Sequence, residues 1–81
     1  MKLRQIAGGI IVKVYVNGEE IEIFAGARVK NALLGYSREE YEAVKEREKL
    51  VKDEFGNEIL LDGSLSAGEK IFIEERDEKA R

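Results

Sequence analysis

Eighty-one residues carry 14 Lys and Arg against 17 Asp and Glu, with no Cys and no His, which bounds the chain to one small domain of net charge −3. Without Cys there are no disulfides, thiolate metal sites, iron–sulfur clusters or thiol nucleophiles, and without His the commonest general base near neutral pH and the commonest metal ligand are gone. The charges are of mixed sign throughout, so the surface is well solvated and lacks the clustered basic footprint that duplex nucleic acid requires.

The chain opens on MKLRQIAGGIIV, positive charge followed by an apolar run. The run is short, broken by Gly8-Gly9 and ended by Lys13 with no small-residue cleavage site behind it, so residues 1–9 are expected to be a flexible N-terminus and not a signal peptide. No stretch approaches the ~20 apolar residues of a membrane span. A soluble, cytoplasmic protein is expected.

Residues 12–24, VKVYVNGEEIEIF, read as a hairpin closed at Asn17-Gly18, because a type I′ turn needs positive φ at both central residues. A two-residue turn fixes the register: Val16 faces Glu19, Val14 faces Ile21, and Val12 faces Ile23. Val12, Val14, Ile21 and Ile23 then share one apolar face. Lys13 meets Glu22, Tyr15 meets Glu20, and Ile11 meets Phe24 on the other. In AGARVKNALLGY, Val29, Ala32, Leu33 and Tyr36 recur at helical spacing, predicting a helix over 27–34 with Gly35 as its C′ residue. Its start is poorly signalled, with Gly26 the nearest capping residue.

SREEYEAVKEREKL predicts a second helix, with a capping box from Ser37 to Glu40 and Lys49 at its C-terminal end. Its apolar stripe is thin, Tyr41 and Val44 with Ala43, so it should lie on the surface, held by one edge. Leu50 and Val51 begin a strand. Two further strands follow, separated by turns at Phe55-Gly56-Asn57 and Asp62-Gly63-Ser64, with Ile71 and Ile73 alternating around Phe72 in the last. Residues 76–81 read as a charged, disordered tail.

Hairpin, helices, short strands and a final strand give an α+β fold, one mixed sheet with the helices on one face. Over 10–75 the pattern resembles the β-grasp, or ubiquitin-like, fold, in which the last strand lies parallel beside the first. VNGEEIEIFAGARVKNALLG resembles the opening of plant-type [2Fe–2S] ferredoxin domains and of small sulfur-carrier proteins, and LDGSLSAGEKIFI resembles the end of sulfur carriers. Ferredoxin function does not transfer, because the cluster cysteines are replaced by YSREEYEAVKERE. Sulfur carriers and ubiquitin-like modifiers act through a terminal Gly-Gly, so a modifier role would need processing back to a glycine. A small-ligand regulatory domain is compatible with the fold, although no group of residues points to it.

Asp53, Glu54, Asn57, Glu58 and Asp62 make an acidic segment whose spacing does not match a calcium loop, and they read as solvated turns. Glu39 and Glu40 suit a helix start better than an acid–base pair. The stretch GARVKNALLG lacks a phosphate-binding fingerprint, and the Lys and Arg of the second helix alternate with Glu as a salt-laced face. No catalytic residue, cofactor or metal ligand is assigned. The sharper expectation is the outer face of the sheet, where Ile11, Tyr15, Phe24 and Phe72 should converge as a partner-binding patch. The competing expectation is that the N-terminal segment or the tail covers it. The functional expectation is a small non-enzymatic module that binds another protein through this face. No role with nucleic acid or membrane is expected. With only four apolar side chains and the Lys13–Glu22 pair resisting desolvation, self-association should go no further than a weak homodimer.

Overall fold

The computed structural model describes residues 4–6 and 9–76. Its elements are β1 (Arg4–Ile6), β2 (Gly9–Val16), β3 (Glu19–Phe24), α1 (Val29–Tyr36), α2 (Arg38–Lys45), β4 (Lys49–Asp53), β5 (Glu58–Ile59) and β6 (Lys70–Glu75). β2 and β3 form the predicted hairpin with the predicted register, from Ile11↔Phe24 through Val14↔Ile21 to Val16↔Glu19. Its turn has φ of 53° at Asn17 and 84° at Gly18, the left-handed pair that a type I′ turn demands.

β6 runs parallel to β2, with Tyr15 beside Lys70 and Val16 beside Ile71, and β4 and β5 continue the sheet antiparallel beyond it. First and last long strands in parallel contact, with helices over one face, make a β-grasp-like arrangement. Ile11 pairs with both Phe24 and Arg4, so β1 occupies the edge of β2 opposite β3, the same edge that β6 uses farther along. Residues 4–6, placed by sequence in a flexible segment, thus appear as a paired strand; residues 1–3, 7 and 8 lie outside the described residues. Arg76, the first residue of the tail expected over 76–81, is tied to the domain: it donates from its backbone N–H to the Glu48 carbonyl (3.2 Å) and from Nε to the Arg47 carbonyl (3.1 Å). Residues 77–81 lie outside the described residues.

The core sits between the sheet and the helices. Val12, Val14, Val16, Ile23, Val51 and Ile71 from the strands meet Val29, Ala32 and Leu33 of α1, with Leu65 closing one end. Ile21 and Ile73 pack against it half-buried. α1 lies two residues later than predicted. Its start depends on partners far along the chain: Val29 N–H donates to the Gly63 carbonyl (2.8 Å) and Lys30 N–H to that of Leu61 (3.0 Å). Those bonds satisfy donors that a helix N-terminus leaves orphaned. Asn31 Oδ1 accepts from Arg28 N–H (2.9 Å), a cap supplied by the third helical residue.

Gly35 is inside α1 and is not its C′ residue. A Cβ there would stand 3.3 Å from Ile21 Cγ2, so the missing side chain lets the helix approach β3 closely. Ser37, extended at φ −167°, ψ 122°, breaks the helical run and caps α2 by accepting from Glu40 N–H (3.3 Å). The other half of the predicted capping box is replaced: the Glu40 carboxylate takes Lys49 Nζ at 2.9 and 3.2 Å. Lys49 is the first residue of β4, not the end of α2, and it reaches back to the helix start. α2 buries no residue completely and rests on Tyr41 and Val44, as its thin stripe predicts.

Candidate interaction surface

Both helices pack on the face carrying Val12, Val14 and Ile71, so the alternate residues of the sheet face away from them. Ile11, Tyr15, Phe24 and Phe72 all stand on this outer face, as expected. They do not form one patch. Ile11 is paired with Phe24 at one end of the hairpin, whereas Tyr15 lies four residues, roughly 13 Å, farther along β2. Phe72 stands beyond Tyr15, two residues past its partner Lys70, and lies opposite Lys52 of β4.

The register therefore divides the four into two pairs, with Lys13, Glu20 and Glu22 between them. The expected convergence fails because sharing a face fixes direction and not proximity. Lys13 Nζ holds Glu20 at 2.8 Å, diagonally across the hairpin. Lys52–Glu74 (3.3 Å) and Arg76–Glu58 (3.4 Å) cross the far side of the same face. Pairs this exposed contribute little to stability, and Lys13–Glu20 stands between the two apolar pairs. β1, the described part of the N-terminal segment, lies in the plane of the sheet beside Ile11.

Phe24 is the most open of the four, 51% exposed, while Ile11, Tyr15 and Phe72 are half-buried. It sits at the end of β3, where Glu22, Phe24, Ala27 and Asn31 line a shallow groove against the start of α1. Sequence reasoning passed over two side chains more exposed than any of these, Phe55 at 80% and Leu60 at 71%. Phe55 belongs to a turn cluster, where periodicity assigns no face. The available signal was its size, since turns are built from small and polar residues. Its turn is firmly held: Asp53 Oδ1 accepts from the N–H groups of Phe55 and Asn57, both at 2.9 Å.

Those bonds, that of Asn57 foremost, hold the Asp53 carboxyl below its ordinary range. A carboxylate engaged in this way by its own turn has a structural role. Glu40, in the same way, serves Lys49, whose ammonium its hydrogen bond pushes above the ordinary lysine value. Among the described residues no group of three or more acidic side chains is arranged to hold a metal ion. No helix among them is long and apolar enough to cross a membrane. The class the geometry defines is a small β-grasp-like α+β domain without cysteine. Comparison of the chain with protein-family models, with curated proteins and with solved structures finds no match.

Proposed function

We propose that this chain is a small non-catalytic interaction module that binds another protein through the outer face of its sheet, at the end where Phe24 stands beside Ile11. The observation that carries the reading is Phe24 itself, a large aromatic half exposed on the sheet face opposite both helices. Aromatic side chains in such positions dominate the energetics of protein interfaces. The tethering of Asp53 by its own turn and of Glu40 by Lys49 adds to the reading, because it removes two carboxylates that acid–base chemistry would employ. Affinity recovery from the protein's own cells tests it, with wild type, Phe24→Glu and Phe72→Glu as baits of matched melting temperature. Loss of a specific partner with Phe24→Glu is expected. Equal recovery with all three baits would refute the face.

A further inference from the structure

β5 ends after two residues, paired with β4 at Val51↔Ile59 and Lys52↔Glu58. The chain then leaves the sheet to serve α1. The Leu61 carbonyl accepts from Lys30 N–H (3.0 Å), and a turn closes where Gly63 N–H donates to the Leu60 carbonyl (2.9 Å). Beside Leu50, therefore, no strand among the described residues pairs with this edge of β4. The C-terminal end of α2 supplies a second wall. The result is a cleft of about 170 Å³ at the edge of the sheet remote from β3.

Its apolar lining comes from Val44, Ile59 and Leu61, half-buried against the core, and from Leu50 and the 71%-exposed Leu60. Its charged lining is one carboxylate, Glu58, and three cations, Lys45, Arg47 and Arg76. Arg76 Nη2 takes Glu58 at 3.4 Å, which leaves two positive charges over. Among the described residues no ion pair or side-chain hydrogen bond engages Lys45 or Arg47. The glutamates Glu39, Glu42, Glu46 and Glu48 line a separate groove along α2. In a chain of net charge −3, this uncompensated positive charge is local.

Arg47 adds a second observation. Its φ of 68° is left-handed, where glycine is the ordinary residue, so its side chain stands there at a backbone cost. Residues other than glycine in that region cluster at binding and active sites. The end of α2 does not by itself account for the guanidinium, since the Val44 and Ala43 carbonyls already accept from the N–H groups of Arg47 and Glu48.

We infer that this cleft binds a small amphipathic carboxylic acid, its apolar body against Val44, Ile59 and Leu61 and its carboxylate between Lys45 and Arg47. The volume sets the size. An engineered cavity of roughly 150 Å³ takes one benzene ring, whereas drug-sized ligands occupy roughly 300–1,000 Å³. A single ring or a short branched chain therefore fits, and the two cations select an acid over an alcohol or an amine. The cleft and Phe24 lie at opposite edges of the sheet, so this site stands or falls apart from the sheet-face reading.

The probe is phenylacetate at neutral pH, titrated through the millimolar range into protein labelled with 15N and at its methyl groups. Saturable shifts are expected at the methyls of Val44, Ile59 and Leu61 and at the amides of Lys45 and Arg47. Phenethyl alcohol should bind about fivefold more weakly, in line with the loss of exposed charge pairs, and phenethylamine and acetate should not saturate. Arg47→Lys should retain binding. Arg47→Gln and Arg47→Gly should each weaken it about fivefold, and the glycine variant should unfold at no lower temperature than wild type. A merely structural arginine would not separate affinity from stability in this way. Equal affinity for acid, alcohol and amine, saturation by acetate, unchanged binding by Arg47→Gln, or no shifts at all would overturn the site. Tighter binding of an end-blocked Glu-Phe-Glu peptide than of the free acid would overturn the small-molecule class.

Discussion

Arg47 is the position where the chain holds an avoidable backbone cost. Its φ is 68°, left-handed, and it follows Glu46, the last cap residue of α2. Arg47 N–H donates to the Val44 carbonyl (3.0 Å) and Glu48 N–H to that of Ala43 (2.9 Å), the paired bonds of a Schellman motif. Glycine usually fills this site, because a Cβ in left-handed backbone costs about 1–2 kcal/mol. Arg47→Gly removes that cost but gives back roughly 0.5–1 kcal/mol in chain entropy. The Arg47 carbonyl that accepts from Arg76 is backbone and survives the change. A net gain of up to about 1.5 kcal/mol follows, or a rise in melting temperature of up to about 12 °C for a domain of this size. Arg47→Ala is the control: it discards the exposed side chain yet keeps the Cβ, and should lie within about 0.5 kcal/mol of wild type. Thermal and urea denaturation of the three proteins measures the series. If glycine and alanine unfold together, the Cβ is not the source of the cost and the reasoning fails.

Leu33 is fully buried between α1 and the sheet, and Leu33→Ala should cost about 2–5 kcal/mol in urea unfolding. A loss below about 1 kcal/mol would mean that α1 is not docked as described. Asn17→Gly keeps the turn geometry but deletes the Oδ1 acceptor of Ile73 N–H (2.9 Å) and the Nδ2 bond to the Tyr36 hydroxyl (3.2 Å). It should lower stability by about 1–2 kcal/mol, and an unchanged melting curve would show that these bonds contribute nothing. Because the Asp53 carboxyl is held below the ordinary aspartate range, its stabilising share is complete above that range and is lost as pH falls through the folded value. The stability gap between wild type and Asp53→Ala should therefore be constant near neutrality and narrow below about pH 4, as read from urea midpoints across pH. A gap that widens on acidification would contradict the assigned cause.

The hairpin was legible in the sequence because its determinants are local. Asn17-Gly18 dictates the turn, the turn dictates the register, and the alternation of Val12, Val14 and Val16 with Lys13 and Tyr15 dictates the faces. The docking stripe of α1 was legible for a similar reason, since Val29, Ala32 and Leu33 declare their face by spacing alone. Its first residue was not, because the carbonyls of Leu61 and Gly63 that satisfy its N-terminus arrive from some thirty residues away. Gly35 has the sequence context of a helix end, yet it stands where α1 must clear Ile21, a distance that exists only after the layers pack. Lys49 likewise has the address of a helix terminus until β4 is laid down and its ammonium finds Glu40. Strand alternation gives Ile11, Tyr15, Phe24 and Phe72 a common direction. Whether those side chains meet was settled by the offset of β6 along β2, a relation between strands that no local period encodes.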